Sequence, residues 1–485
     1  MLEASWIALS AVYPQAFDEN FHFGLIKVYS HYWLPFLNGQ PANANSYGAV
    51  AVDPSYLYHY LMSFPYRFIS LFVHGQTGQV ILLRFINIGM FTTAIVLFRR
   101  VLLRARLSPA FTNISLAIFA LIPIVPQLAA HINYDNLLLP LTAWVCLLTF
   151  KAIDELVARR PTARTLITLA TVCLFTSIVK SAFLPIFLGV VIFVLFYAYK
   201  KFKGKFKLLF KRLWDSFRSQ SWLAKTLLVV LFLVSLGLFA QRDGTNLVKY
   251  HTIEPNCSSV LSVKACEQHG AWESNYTKHL TVVSEKGNIH FANPIVYVFM
   301  WLYWMWYRLF FAINGMTSNF TNYPPLPLPS AAAAIIAIAG VAAVVKWRKK
   351  IFSNNPYIVF FLVISMIYIA SLLIDGYAQY RYTNTLVTMN GRYLLPILLL
   401  VGAIVGRAFS LSLRSSPQRK TIIAVIALIL FLQGGGVLTF ITRSDPSWDW
   451  SNSAVVHVNN ATRKLTKPII IKGSKYYSTS IWVFN

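Results

Sequence analysis

Apolar runs separated by short polar breaks organise this chain. Ten candidate spans stand out, at roughly 78–98, 109–129, 136–152, 164–180, 181–199, 223–240, 331–346, 356–374, 390–407 and 421–441. Most approach the ~20 residues that a bilayer-crossing helix needs. The run before the first acidic pair is shorter, from Ala4 to Tyr13. It has no basic leader or small-residue cleavage site, so a signal peptide is not expected. The chain is instead expected to begin inside its first transmembrane helix. Two stretches, Phe21–Phe36 and Tyr56–Val73, read as amphipathic helices in one outer loop. The segment Asn38–Asp53 reads as loop. The tail Lys467–Asn485 carries alternating β-formers and predicts a short hairpin. The expected architecture is an all-α polytopic bundle of about 10–11 transmembrane helices over residues 1–441, followed by a tail at 442–485. No internal repeat supports an inverted-repeat transporter.

Composition agrees with this pattern: 56% of residues are hydrophobic and 12% charged. The net charge of +27 would suggest nucleic acid in a soluble protein, but its location argues otherwise. More than half of the 43 basic residues fall in five inter-span segments, near 99–106, 151–164, 200–225, 346–350 and 407–420. The positive-inside rule makes these the cytoplasmic loops. No nucleic-acid partner is therefore expected. The 200–225 segment suits a basic amphipathic helix on an anionic leaflet. By alternation, 14–77, 130–135, 241–330, 375–389 and the tail from Thr442 face outward. The aromatic stretch Pro294–Ile313 would break this parity if it crossed, so it reads as interfacial or re-entrant. Cys257 and Cys266 share an outward loop and would pair if that compartment is oxidising. Cys146 and Cys173 lie in spans as packing residues.

The outward polar residues at span ends form a set. They are Asp18, Glu19 and His22; His131, Asn133 and Asp135; Lys180; Asp375, Tyr380 and Arg381; and Arg392. Carboxylates and cations on one side suit chemistry on a lipid phosphate. One carboxylate takes a proton from an acceptor hydroxyl, while Lys and Arg neutralise the phosphate leaving group. A second carboxylate could orient the first or bind a divalent ion. Each residue also has a plain role. Asp18, Glu19 or Asp135 could cap a helix, Lys180 and Arg392 could snorkel, and His22 could be a locally bonded helix residue. Arg84, inside a span, needs an acidic or phosphate partner.

Asp18-Glu19-x-x-His22-Phe23 resembles the acidic motif of the GT-C glycosyltransferase superfamily. It is closest to the bacterial membrane proteins of that clan with an Asp-Glu-x-x-His-Phe signature. Asn133-Tyr134-Asp135, Thr176-Ser177-Ile178-Val179-Lys180-Ser181 and Gly391-Arg392-Tyr393-Leu394-Leu395-Pro396 resemble the clan's later motifs, in the same order. The resemblance implies an enzyme of cell-envelope glycan biosynthesis in a bacterial plasma membrane, with its site on the outer face. It implies a polyprenyl-phosphate sugar donor, with Asp18 as base, Glu19 assisting, Asp135 as a second acidic residue, and Lys180 and Arg392 on the donor phosphate. His22, His131 and Arg381 are expected to contact substrate. If a divalent ion such as Mg²⁺ or Mn²⁺ is used, Asp18 and Asp135 are its expected ligands. A transporter or flippase of lipid-linked glycans, or a GT-C-like subunit without catalysis, are the alternatives.

Overall fold

A computed structural model describes residues 1–15, 18–285, 289–310, 327–353, 355–387, 389–412, 417–432, 436–443 and 449–477. Among these residues the chain is all-helical, with no strand. Near the start lie α1 (Leu2–Ser10), α2 (Glu19–Tyr29) and α3 (Leu57–Ser70). Then follow α4 (Gln76–Arg104), α5 (Pro109–Leu121), α6 (Ile124–Ala129), α7 (Asp135–Val157), α8 (Ala163–Val179) and α9 (Leu184–Phe202). The middle contains α10 (Phe206–Arg218), α11 (Trp222–Phe239), α12 (Thr245–Tyr250), α13 (Val263–Cys266), α14 (Gly270–Ser284) and α15 (Pro294–Leu309). The last part holds α16 (Pro327–Phe352), α17 (Pro356–Thr383), α18 (Leu395–Ser412), α19 (Pro417–Leu432), α20 (Val437–Arg443) and α21 (Ser453–Tyr477).

Seven helical segments are long and apolar enough to cross a membrane: 76–104, 135–157, 181–202, 222–250, 329–352, 356–383 and 391–412. Three shorter apolar helices, at 109–121, 163–179 and 421–432, occupy the other candidate positions. Local chemistry explains many boundaries. Ser108, Thr162, Ser221, Asn293 and Asn355 accept N-cap hydrogen bonds from the first turns of α5, α8, α11, α15 and α17. Proline opens α5, α15 and α17, where its missing N–H costs nothing. The 109–129 run is not one helix. It breaks between α5 and α6 at Ile122-Pro123, because proline cannot donate to the preceding turn.

Basic-loop ends gather at one end of the bundle. There Arg104 and Tyr357 both bond Asp154, and Asn355 donates to the Ala105 carbonyl. The loops expected to face outward gather at the other end. Arg242 is buried there, donating to the carbonyls of Val50 and Asp53 and lying 4.3 Å from the Tyr56 ring centroid. Cys257 and Cys266 form a disulfide in that region. The aromatic stretch forms α15, which buries Tyr297, Trp301 and Met305 against Tyr380 and Met389. Residues 311–313 of that stretch lie outside the described residues. The basic segment forms α10 as expected, with Phe206, Phe210 and Trp214 exposed among its lysines and arginines.

The tail departs from expectation. Instead of a hairpin, residues 467–477 continue α21, and residues 478–485 lie outside the described residues. The helix is tied back to the chain start: Trp6 Nε1 donates to Asn459 Oδ1 at 2.9 Å, and Trp450 N to the Ser10 carbonyl at 2.8 Å. β-Propensity alone is a weak guide to the state of a segment.

The tightest tie is an ion pair. Arg84, in the first third of α4, donates from Nε and Nη2 to the two oxygens of Glu19 at 2.8 and 2.7 Å. Both side chains are wholly buried. Arg84→Ala strands a buried carboxylate and should cost about 3–5 kcal/mol. A thermal unfolding scan of the purified variant in detergent should show a large drop in midpoint. An unchanged midpoint would remove Arg84 from this role.

Candidate active site

Asp18 precedes α2 in a left-handed backbone conformation, with φ 66°. That conformation costs an L-residue about 1–2 kcal/mol, least for Asn and Asp. Asp18 does not spend its carboxylate on capping α2. Instead Arg392 Nη2 donates to its Oδ2 at 2.9 Å. The pair is lopsided: the Arg392 side chain is 5% exposed and that of Asp18 is 63% exposed. Arg392 is held in the turn before α18, where its amide donates to Asn390 Oδ1. A side chain at Gly391 would meet the α15 backbone at Leu309 N, 2.8 Å away. The glycine lets α15 close over this turn, where Arg308 also donates to the Met389 carbonyl.

A second pair lies beside the first. Lys180, where α8 ends in extended backbone, donates from Nζ to Asp135 Oδ1 at 2.6 Å. Both side chains are buried. Capping does not explain Asp135. Its amide is itself bonded by Asn133 Oδ1, and its Oδ2 is buried without a hydrogen-bond partner. Lys180 Nζ sits 4.4 Å from the Tyr134 ring centroid and 4.9 Å from that of Tyr393. Arg392 lies over Tyr393 as well, at 5.4 Å. Two cations, two carboxylates and two aromatic rings thus share one end of the bundle, opposite the basic loops. They sit at helix ends. Asp135 opens α7, Lys180 follows α8 and Arg392 precedes α18.

The remaining expected residues fall into three settings. Glu19 does not face this cluster's open side. Besides Arg84, its oxygens accept from the amides of Gln15 at 2.8 Å and Ile132 at 3.3 Å. Burial pushes its carboxyl up, but the Arg84 guanidinium overcomes this and holds it below the usual range. The expected assistant of Asp18 is therefore a structural anchor beside it, and it is also the partner that Arg84 required. His131 is buried against the Gln127 carbonyl, and burial lowers its imidazole to about 4. Arg381 is exposed, 4.4 Å from the Phe291 ring centroid. It makes no hydrogen bond or ion pair to the cluster among the described residues.

His22 is inside the cluster. Its Nδ1 is 2.8 Å from His59 Nε2, one ring donating and the other accepting. The rings stack at 5.2 Å, and the Tyr134 ring meets His22 edge-on at 4.6 Å. Burial lowers His22 well below its usual range, with the His59, Arg392 and Lys180 charges adding to the effect. Burial alone lowers His59 to about 3. The pair is therefore neutral near pH 7.

Sequence reasoning missed His59, Tyr134 and Tyr393 as members, and also a polar rim. Ser181 Oγ donates to Glu254 Oε2 at 3.3 Å, Ser181 N to Ser55 Oγ at 3.1 Å, and Ser55 N to Asp53 Oδ1 at 2.8 Å. Burial raises the Glu254 carboxyl, the Asp53 charge adds to this, and Lys180 opposes it. The polar face of Tyr56–Val73 offered a signal for His59, and position next to Asp135 and Arg392 offered one for the tyrosines. Glu254 carried no local signal.

Asp18 and Asp135 are the expected ligands if a divalent ion is used. Each of these carboxylates already faces a cation, Arg392 or Lys180. Among the described residues no group of three or more metal-type side chains converges.

Comparison of the chain with family models, curated proteins and solved structures found no match in any of the three.

The buried neutral histidines set a pH dependence. An unfolded histidine takes up its proton near pH 6.5, whereas folded His59 and His131 resist protonation down to about 3 and about 4. Between those limits the unfolded state binds more protons, so stability falls as pH falls. Burial raises the Asp53 and Glu254 carboxyls, and these oppose the histidines over the same range. The histidine contribution is therefore read by difference: His59→Phe should raise the unfolding midpoint at about pH 5 relative to that at about pH 7, compared with wild type. An unchanged difference between the two pH values in the variant would contradict the neutral assignment of His59.

Proposed function

We propose that this chain is a membrane glycosyltransferase of GT-C type. It moves a sugar from a polyprenyl-phosphate donor to a glycan, lipid or protein acceptor at the membrane's outer face. The observation that carries the reading is the half-open pair Asp18–Arg392 beside the buried pair Lys180–Asp135. A lipid-phosphate donor needs cations where its leaving group sits and a carboxylate where the acceptor hydroxyl approaches.

The acceptor oxygen attacks the anomeric carbon directly, and Asp18 takes its proton as the new C–O bond forms. The bond from that carbon to the phosphate oxygen breaks on the opposite face, so the sugar's configuration inverts. Lys180 and Arg392 neutralise the departing phosphate. In the resting protein both cations face carboxylates. The donor phosphate competes for them, and drawing Arg392 toward phosphate frees Asp18 to act as a base. Tyr134 and Tyr393 hold Lys180 by cation–π contact. The neutral His22–His59 pair adds polarity behind the site without a third positive charge.

Placement at helix ends favours transfer over transport. A transporter of lipid-linked glycans places its binding groups near the bilayer midplane, on broken helices.

Asp18→Asn should lower glycan transfer in cells by about 10²–10⁴-fold, with the protein present at its normal level. Retained transfer would remove Asp18 as the base. Lys180→Ala should raise the donor concentration needed for half-maximal rate, and an unchanged value would remove Lys180 from the phosphate.

A further inference from the structure

At the opposite end of the bundle lies a cavity of about 260 Å³, just below the ~300–1,000 Å³ typical of small-molecule sites. It is walled by the turn between α4 and α5 and by the last turns of α18. Two arginines line it, Arg106 and Arg407, together with the hydroxyls of Ser108 and Ser410. No carboxylate lines it. We propose that this cavity is an anion site for a phosphate group, separate from the cluster around Asp18.

Three observations support the assignment. First, neither guanidinium makes an ion pair among the described residues, although acids are present at this end. Arg104, two residues from Arg106, is neutralised by Asp154. Second, Arg407 Nε is buried without a hydrogen-bond partner. A snorkelling arginine sends its head to water; this one keeps a donor out of water and unmet, at a cost that a bound oxygen would remove. Third, Arg106 occupies a left-handed position, φ 66°, closing the α4 terminus with its amide on Leu103 and the Leu107 amide on Leu102. Glycine or asparagine is usual there, so the strained arginine has a use beyond ending a helix.

The floor is set by close packing. A side chain at Gly406 would meet the Phe111 ring at 1.9 Å. Phe111 can therefore lie flat against α18 beside Arg407, with Ser410 one turn further along. Two guanidiniums and two hydroxyls around a headgroup-sized space match a phosphate, whose oxygens accept from planar guanidinium forks. The phosphate can belong to a lipid headgroup of the adjoining leaflet or to a soluble molecule.

The test uses the purified full chain in neutral detergent, with unfolding midpoint as the readout. The probes are phosphatidylglycerol in mixed micelles, zwitterionic phosphatidylcholine as its net-neutral control, and inorganic phosphate. The wild-type midpoint should rise saturably with phosphatidylglycerol, with inorganic phosphate, or with both. A response to phosphatidylglycerol alone assigns a lipid headgroup, and a response to inorganic phosphate assigns a free phosphate. Arg407→Gln should weaken the responding probe at least about tenfold, a change of about 1.4 kcal/mol. Arg106→Gln, at an exposed position, should do the same if the first variant does not fold. Lys349→Gln, outside the cavity, should respond as wild type. The proposal is overturned if neither anion shifts the wild-type midpoint, or if the arginine variants respond as wild type does.

Discussion

The buried pair of Glu19 and Arg84 fixes the end of the molecule where the candidate site lies. Two charges taken wholly out of water are tolerated only when each is fully met, and here they are. Arg84 holds Glu19 with two hydrogen bonds and also donates to the Ala8 and Ala11 carbonyls. Glu19 in turn accepts from the amides of Gln15 and Ile132. One contact thereby joins the end of α1, the start of α2, the first third of α4 and the turn before α7. Asp18 and Asp135 are each within three residues of a group in this lock, so its geometry sets where both carboxylates stand.

From that anchor the site is built outward by pairs. The turn at 131–136 is braced by Asn136, which donates to the Leu128 and His131 carbonyls and to Asn87. Tyr58 donates to the same Asn87 oxygen at 2.8 Å. Asp135 then meets Lys180, and Asp18 meets Arg392. The pairs differ in a way that bears on function. Asp135 and Lys180 are closed off, whereas Asp18 opens to solvent. On the proposed transferase reading, the open carboxylate meets the acceptor hydroxyl while the other balances charge inside. The orphaned Oδ2 of Asp135 leaves one further acceptor in the buried part.

Much of the fold was legible because a bilayer imposes a simple rule on sequence: long apolar helices, with basic loops on one side. Among the described residues each of the ten candidate spans falls mainly on helix, and the basic-loop ends gather as charge predicted. The failures have local causes. Pro123 split one run, and residues 467–477 continue α21 where strand propensity predicted a hairpin. At the site, hydropathy and spacing located Asp18, His22, Asp135, Lys180 and Arg392. They could not divide an adjacent acidic pair into one buried anchor and one open carboxylate. That division depends on which side of the α2 start Arg84 reaches, a tertiary fact. His59 and Glu254 were missed because they join the site from distant parts of the sequence, His59 from α3 and Glu254 from the loop after α12. Arg381 was included because it shares a predicted side of the membrane, but side alone does not bring residues together.

The central claim is that Lys180 and Arg392 receive a lipid phosphate beside Asp18. Its most direct test is a cryo-electron microscopy structure of the purified chain with polyprenyl monophosphate added. The account predicts phosphate density within hydrogen-bond reach of both Lys180 Nζ and the Arg392 guanidinium, with Arg392 turned away from Asp18. Phosphate bound elsewhere, with the Asp18–Arg392 and Asp135–Lys180 pairs unchanged, would contradict it.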